Sequence, residues 1–110
     1  MGDGLRDAMR LMRKHNPQLQ EDGFALLRPY AAEHVDALIA EFWADRDDHG
    51  LRCWLLELIG EARSVAALPL LAELLTNADE SFRTGARRGL ELLDTKESRR
   101  LLWAESDPDR

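Results

Sequence analysis

The sequence predicts an all-α protein built as a short stack of helix pairs, and three observations carry that expectation. First, a pattern recurs about thirty-one residues apart: Glu21, Arg52 and Arg83 fall at equal steps, as do Phe24, Leu55 and Ala86, and Leu27, Leu58 and Gly89. A second register links Leu38-Ile39, Leu70-Leu71 and Leu101-Leu102, with one extra residue in one connection. A fixed period of roughly 20–50 residues marks units that cannot bury an apolar face alone and stack to share one. Second, apolar residues return every three or four positions, and no segment alternates as a strand would. Third, connections of about two to six residues suit antiparallel helix neighbours. The expected architecture is an α-solenoid of about three antiparallel helix pairs, with six to seven helices. It forms a single domain over residues 1–105, with a disordered tail at 106–110.

Each element follows from local signals. Over Asp3–His15, Leu5, Met9 and Met12 share one helical stripe while Arg6, Arg10 and Arg13 share another. Asn16-Pro17 reads as an N-cap followed by a proline in the first turn, where its missing N–H costs nothing. The helix it opens carries Leu19, Gly23, Phe24, Leu26 and Leu27 and should stop near Pro29. A third helix, about Glu33–Ala44, places Val35, Leu38, Ile39, Phe42 and Trp43 on an apolar face. Asp45–His49 is a polar break in which Asp47 or Asp48 can cap the fourth helix, about His49–Ile59. That helix is apolar on most sides and should lie buried between neighbours. Gly60 suits a left-handed residue just past its end. Ser64 can cap a fifth helix running to Leu75, kinked by Pro69. Asp79 can cap a sixth running to Leu93, and Asp94 with Glu97 resembles a capping box for a last helix holding Leu101, Leu102 and Trp103.

Bulk properties narrow the functional class. The chain has 110 residues, 33% charged and 45% hydrophobic, an ordinary balance for a globular domain. A formal charge of −6 argues against broad affinity for nucleic acid or anionic membrane and favours solubility, or a cationic partner. One cysteine, Cys53, cannot form an internal disulfide. The first fifteen residues hold too many charges for a signal peptide, and the apolar run Val65–Ala72 is broken by Pro69 and too short to span a membrane. A cytoplasmic protein is the expectation.

With the helices paired, His49–Trp103 resembles HEAT repeats, particularly the short bacterial HEAT-like type. The residues that carry this are Leu51-Arg52, Leu55 and Leu58-Ile59-Gly60, then Ala67-Leu68-Pro69-Leu70-Leu71 with Leu74-Leu75. Asn77, Asp79, Phe82-Arg83, Ala86 and Leu90 follow. The resemblance implies a right-handed solenoid, a proline kink in the first helix of a unit at Pro69, and a polar ladder joining Asn77 to Arg83. It implies no particular activity, because the family is defined by packing. Two departures matter. Trp54 stands where such repeats usually carry alanine, and the positions one period away are Gly23 and Gly85. Trp54 is therefore expected to fill the space those glycines vacate, or else to act as an aromatic anchor on the binding face. Gly85 and Gly89 within one helix point to the close approach of another backbone.

The candidates for chemistry are few. His15, His34 and His49 show no metal-ligand spacing, and the lone cysteine offers no zinc pattern. Asp45, Asp47 and Gly50 match the first, third and sixth positions of a calcium loop, but His49 and Leu56 occupy its fifth and twelfth. No cofactor, metal site or catalytic residue is expected. The charge pattern is more telling: Arg52 and Arg83 are one repeat apart, and Arg87 and Arg88 continue the helix that carries Arg83. Arg52 and Arg83 either pair with nearby acidic turns, as in the family's ladder, or meet a partner. Arg87 and Arg88 have less structural use and suit contact.

The expectation for function is a non-catalytic protein-binding scaffold that uses the concave face of its second helices, with Arg52, Trp54, Arg83, Arg87 and Arg88 as contacts. A small acidic antagonist of a basic partner, of the immunity-protein type, is the alternative. An enzyme acting on nucleic acid, or a lyase subunit bearing such repeats, ranks below both, because the charge opposes DNA binding. Trp103 and the incomplete last unit could also support weak self-association.

Overall fold

Asn16 makes the first corner, where its side chain accepts the backbone N–H groups of Gln18 and Leu19 at 3.0 and 3.2 Å and so starts a helix at Pro17. Similar devices recur along the chain. The computed structural model describes residues 2–106, and all regular structure among them is helical. The α-helices are α1 Gly2–Arg13, α2 Pro17–Leu27, α3 Val35–Ala44, α4 His49–Glu61, α5 Leu68–Leu74, α6 Glu80–Leu93 and α7 Lys96–Ser106. Short 3-10 segments occupy Arg28–His34 and Val65–Ala67. The chain is all-α, and none of its described helices is long and apolar enough to cross a membrane. Ser106 closes α7, and the rest of the expected tail, 107–110, lies outside the described residues.

Side-chain caps fix most boundaries. Asp48 accepts the Leu51 N–H at 3.1 Å to start α4, and Asp79 accepts those of Ser81 and Phe82 at 2.8 and 3.3 Å to start α6. Each such cap contributes about 1 kcal/mol. Four local expectations are corrected. Gly60 is buried inside α4, and the left-handed residue after that helix is Arg63, at φ 50°. Pro69 does not kink a long helix: Ser64 caps the preceding 3-10 turn, and Pro69 falls in the first turn of α5, where no N–H is needed. The last cap lies one residue later than expected. The Thr95 and Ser98 N–H groups donate to each other's hydroxyls at 2.8 and 3.0 Å, while Asp94 takes the left-handed position closing α6. Between α2 and α3 the chain continues as a 3-10 segment, so α3 begins at Val35.

One apolar interior runs the length of the molecule. It begins at Ala8, Met9 and Met12 on α1, passes through Leu38, Phe42, Leu55 and Leu58, and reaches Leu71, Leu74 and Leu90. Leu71 is 1% exposed, and Ile39 and Leu102 pack against the same cluster from its edges. At roughly 1.5–3 kcal/mol for each fully buried aliphatic side chain, this interior dominates stability.

Successive contacts along each pair show that α2, α4 and α6 run parallel. Phe24 meets Trp54 with ring centroids 4.9 Å apart, and further along Arg28 Nε donates to Glu61 at 2.9 Å. One step on, His49 reaches Asp79 at 2.9 Å, and Gly60 meets Gly89 at the other end. On Gly60 a Cβ would stand 3.2 Å from the Gly89 Cα, so the two backbones touch only because neither residue has a side chain. Gly89 thus meets a backbone, as expected. Gly85 instead faces the Leu56 side chain.

Candidate functional site

The five arginine and tryptophan positions singled out in the sequence all lie on α4 and α6, and they divide sharply. Arg52, on α4, is half-buried. Its Nε donates to the Phe42 carbonyl at 2.9 Å, and its guanidinium carbon stands 4.1 Å from the Phe42 ring centre and 5.0 Å from that of Phe82. Arg83, on α6, donates through Nη1 to the carbonyls of Asn77 and Ala78 at 2.7 and 2.9 Å. Arg52 therefore satisfies a carbonyl in the last turn of α3, where a helix end leaves it without an internal partner, and Arg83 satisfies two carbonyls of the loop that joins α5 to α6. The polar ladder joins residue positions 77 and 83, but through the backbone oxygen of Asn77. Its Oδ1 is occupied by the Asp79 N–H at 2.8 Å.

Trp54 is half-buried and tilted against Phe24. It does not fill the glycine positions one period away. A Cβ on Gly23 would meet the Ala8 carbonyl oxygen and Met12 at 2.6 Å, and one on Gly85 would meet Leu56. Those gaps are taken by α1 and by a leucine. Arg87 and Arg88 differ from the other three: both are exposed on α6, and neither makes an ion pair or side-chain hydrogen bond with any described residue. Arg88 borders a groove of about 490 Å³ between α4 and α6. Leu56, Gly60, Gly85 and Gly89 lie along its floor, with Cys53 and Glu57 on the α4 side and Ser81 and Thr84 on the α6 side. The glycine crossing makes this valley by letting the helices close on each other below the ridges of their outward side chains. The groove can hold a partner's apolar side chain and offers one unengaged guanidinium at its edge.

At the upper end of the same crossing lies a constellation that the sequence reading missed. His49 pairs with Asp79, stacks on Phe82 at 5.1 Å, and sits 3.8–3.9 Å from the Cys53 sulfur through either ring nitrogen. The helical i, i+4 spacing of His49 and Cys53 was the available signal. The Asp79 carboxyl lies below its ordinary range: burial pushes it up, but the Phe82 and Ser81 N–H groups and then His49 outweigh that. The Cys53 thiol is raised, first by burial and then by the Asp79 charge, with Arg52 opposing. A thiol held in its protonated form is a poor nucleophile, and equal distances to both ring nitrogens do not aim it at either. The geometry suits a strut between helices better than a catalytic pair.

Among the described residues no three metal-ligating side chains gather to hold an ion. The acidic turn forms a dent of about 490 Å³ lined by Asp45, Asp47 and Asp48, with Arg46 and His15 among them. Arg13 bonds the carboxylate of Glu41 and stands 3.7 Å from Asp45, so it ties α1 to the C-terminal end of α3. Burial, with the neighbouring Glu41, raises the Asp45 carboxyl above its usual range.

Against known proteins, no family model, curated protein or solved structure matches this chain.

Proposed function

We propose that this chain is a non-catalytic protein-binding module of HEAT-like character. In this reading its helices stack as a right-handed solenoid of about three antiparallel pairs, and the groove between α4 and α6 receives a partner segment. The parallel α2, α4 and α6, offset by about thirty residues, support the stacking, as does an outline of 46 × 25 × 21 Å. The observation that carries the binding role is the separation of the arginines. Arg52 and Arg83 are tied to backbone carbonyls, whereas Arg87 and Arg88 are exposed and make no ion pair or side-chain hydrogen bond with any described residue, and Arg88 borders an apolar-floored groove. Fixed helices lose little entropy on binding, so such a groove is preorganised. A photo-crosslinking residue at Thr84, compared with one at the exposed Ala66, tests this. Capture from native lysate should occur at Thr84 only and fall at least about tenfold with Arg87→Ala/Arg88→Ala. Equal capture at both sites, or capture indifferent to the arginines, rejects the groove.

One observation favours a second reading, the acidic antagonist: the Asp45–Asp48 turn and a net charge of −6 present a surface fit for a basic partner. A complex of that kind weakens steeply with salt and with Asp47→Lys, and is untouched by Arg87→Ala/Arg88→Ala.

A further inference from the structure

A separate face, away from the groove, carries a cleft of different chemistry. The first half of α1 and the turn joining α2 to the following 3-10 segment enclose a cleft of about 550 Å³, with Leu5, Leu26, Leu27 and Tyr30 in its walls. That volume is within the roughly 300–1,000 Å³ that encloses a compact group. Leu26 and Tyr30 are 55% and 54% exposed, so apolar surface is left open at its mouth. The charged side chains on the lining are Asp7 and Glu33, with His34 beside them and no lysine or arginine. Asp7 has only a loose 3.8 Å contact with Arg10, both side chains being well exposed. Such a lining selects a large apolar side chain carried next to cations.

The chain itself presents that combination. Trp103 on α7 is 70% exposed, and Arg99 and Arg100 precede it by four and three residues, the spacings that share a helix face. We infer that α7 of a second copy docks in this cleft. Trp103 enters between Leu26 and Tyr30, and the two guanidinium groups meet Asp7 and Glu33. Arg99 and Arg100 now pair locally with Asp94 and Glu97 at 2.9 and 3.4 Å. Ion pairs between exposed side chains are worth little, so exchanging them costs little. Cleft and donor are different surfaces, so the contact is heterologous and propagates from copy to copy unless the rotation closes a ring. One inserted side chain with a small rim makes a weak contact.

Sedimentation equilibrium of the full chain, from about 10 µM to about 1 mM at low salt, tests this in the weak-interface range. The weight-average mass should rise above that of the monomer with concentration and fall when salt is raised to about 0.5 M. Leu26→Glu blocks the cleft and Trp103→Ala removes the donor. Each should weaken association by roughly 30-fold while leaving helix content unchanged. Mixing the two variants should restore one-to-one dimers and nothing larger, because each retains one working half. The inference is overturned by a wild type that stays monomeric, by association that survives either substitution, or by a mixture that remains monomeric. A monomeric wild type whose cleft binds a separate basic, tryptophan-bearing peptide would assign the cleft to another protein and overturn self-docking equally.

Discussion

Arg52 shows how much a single side chain can hold in this molecule. It bonds the carbonyl end of α3, lies over one ring from that helix and another from α6, and is itself rooted in α4. Replacing it with alanine removes a charge-assisted hydrogen bond and a stacked cation together, and should cost about 2–3 kcal/mol in urea unfolding. Arg52→Lys should recover less than half, since an ammonium cannot bond the carbonyl and cover the rings in one geometry. Asp79 gives a dependence on acidity. Its carboxyl is depressed in the folded chain, so the stability it adds is present above the ordinary carboxylate range and is lost as pH falls through the folded value. Helix circular dichroism should show wild-type stability declining below about pH 4, and Asp79→Asn should flatten that decline while lowering the midpoint at neutral pH. The positions of Arg52 and Arg83 were legible from their spacing, and residue 77 was expected beside Arg83, but the use of backbone oxygens as acceptors was not. Unpaired carbonyls occur at helix ends and in loops whatever the side chains, so nothing in the sequence advertised them. The placement of Trp54 misled for a related reason: equal spacing in sequence marks equivalent sites, and equivalent sites on stacked helices need not face one another.

Among the elements, α4 and α6 depend most on what is missing. Alanine normally stabilises a helix interior by about 1 kcal/mol over glycine. At Gly60 that gain should be overridden, because the new Cβ would stand 3.2 Å from the Gly89 backbone, which cannot step aside. A net loss of about 2 kcal/mol is expected from Gly60→Ala. Gly85→Ala presses on the Leu56 side chain, which can change rotamer, so its effect should stay within about 1 kcal/mol. Gly23→Ala meets the Ala8 carbonyl oxygen and should loosen α1 from α2, the most damaging of the three in thermal melts. The sequence announced close approach at Gly89 correctly and misassigned Gly60 to a helix end. A glycine near the last periodic residue satisfies both readings, and only the partner helix distinguishes them. Pro69 is a similar case, since a proline in a first turn and one in a helix interior are told apart by where the helix begins.

At the level of the whole molecule, α4 touches α1, α2, α3, α6 and the 3-10 segment before α3, while α7 packs chiefly on α6. Opening α7 exposes little of the interior, whereas opening α4 exposes nearly all of it. Amide exchange should therefore be slowest in α4, at the rate of global unfolding, and faster by at least about tenfold in α7. Uniform protection across both helices would contradict this ordering. The all-helical class and the shared interior were readable because a repeated apolar pattern has few ways to bury itself. The groove was not, because it arises from the distance between two helices and from no residue alone.

The Gly60–Gly89 crossing has one more consequence. A bound segment would lie above a joint whose two backbones are already in contact, so it could not be accommodated by pressing the helices closer. Any adjustment to its bulk must instead pry them apart, straining the His49–Asp79 strut at the far end. Occupancy would then be felt first as a loosened imidazole, making the ring resonances of His49 a natural reporter of whatever lodges there.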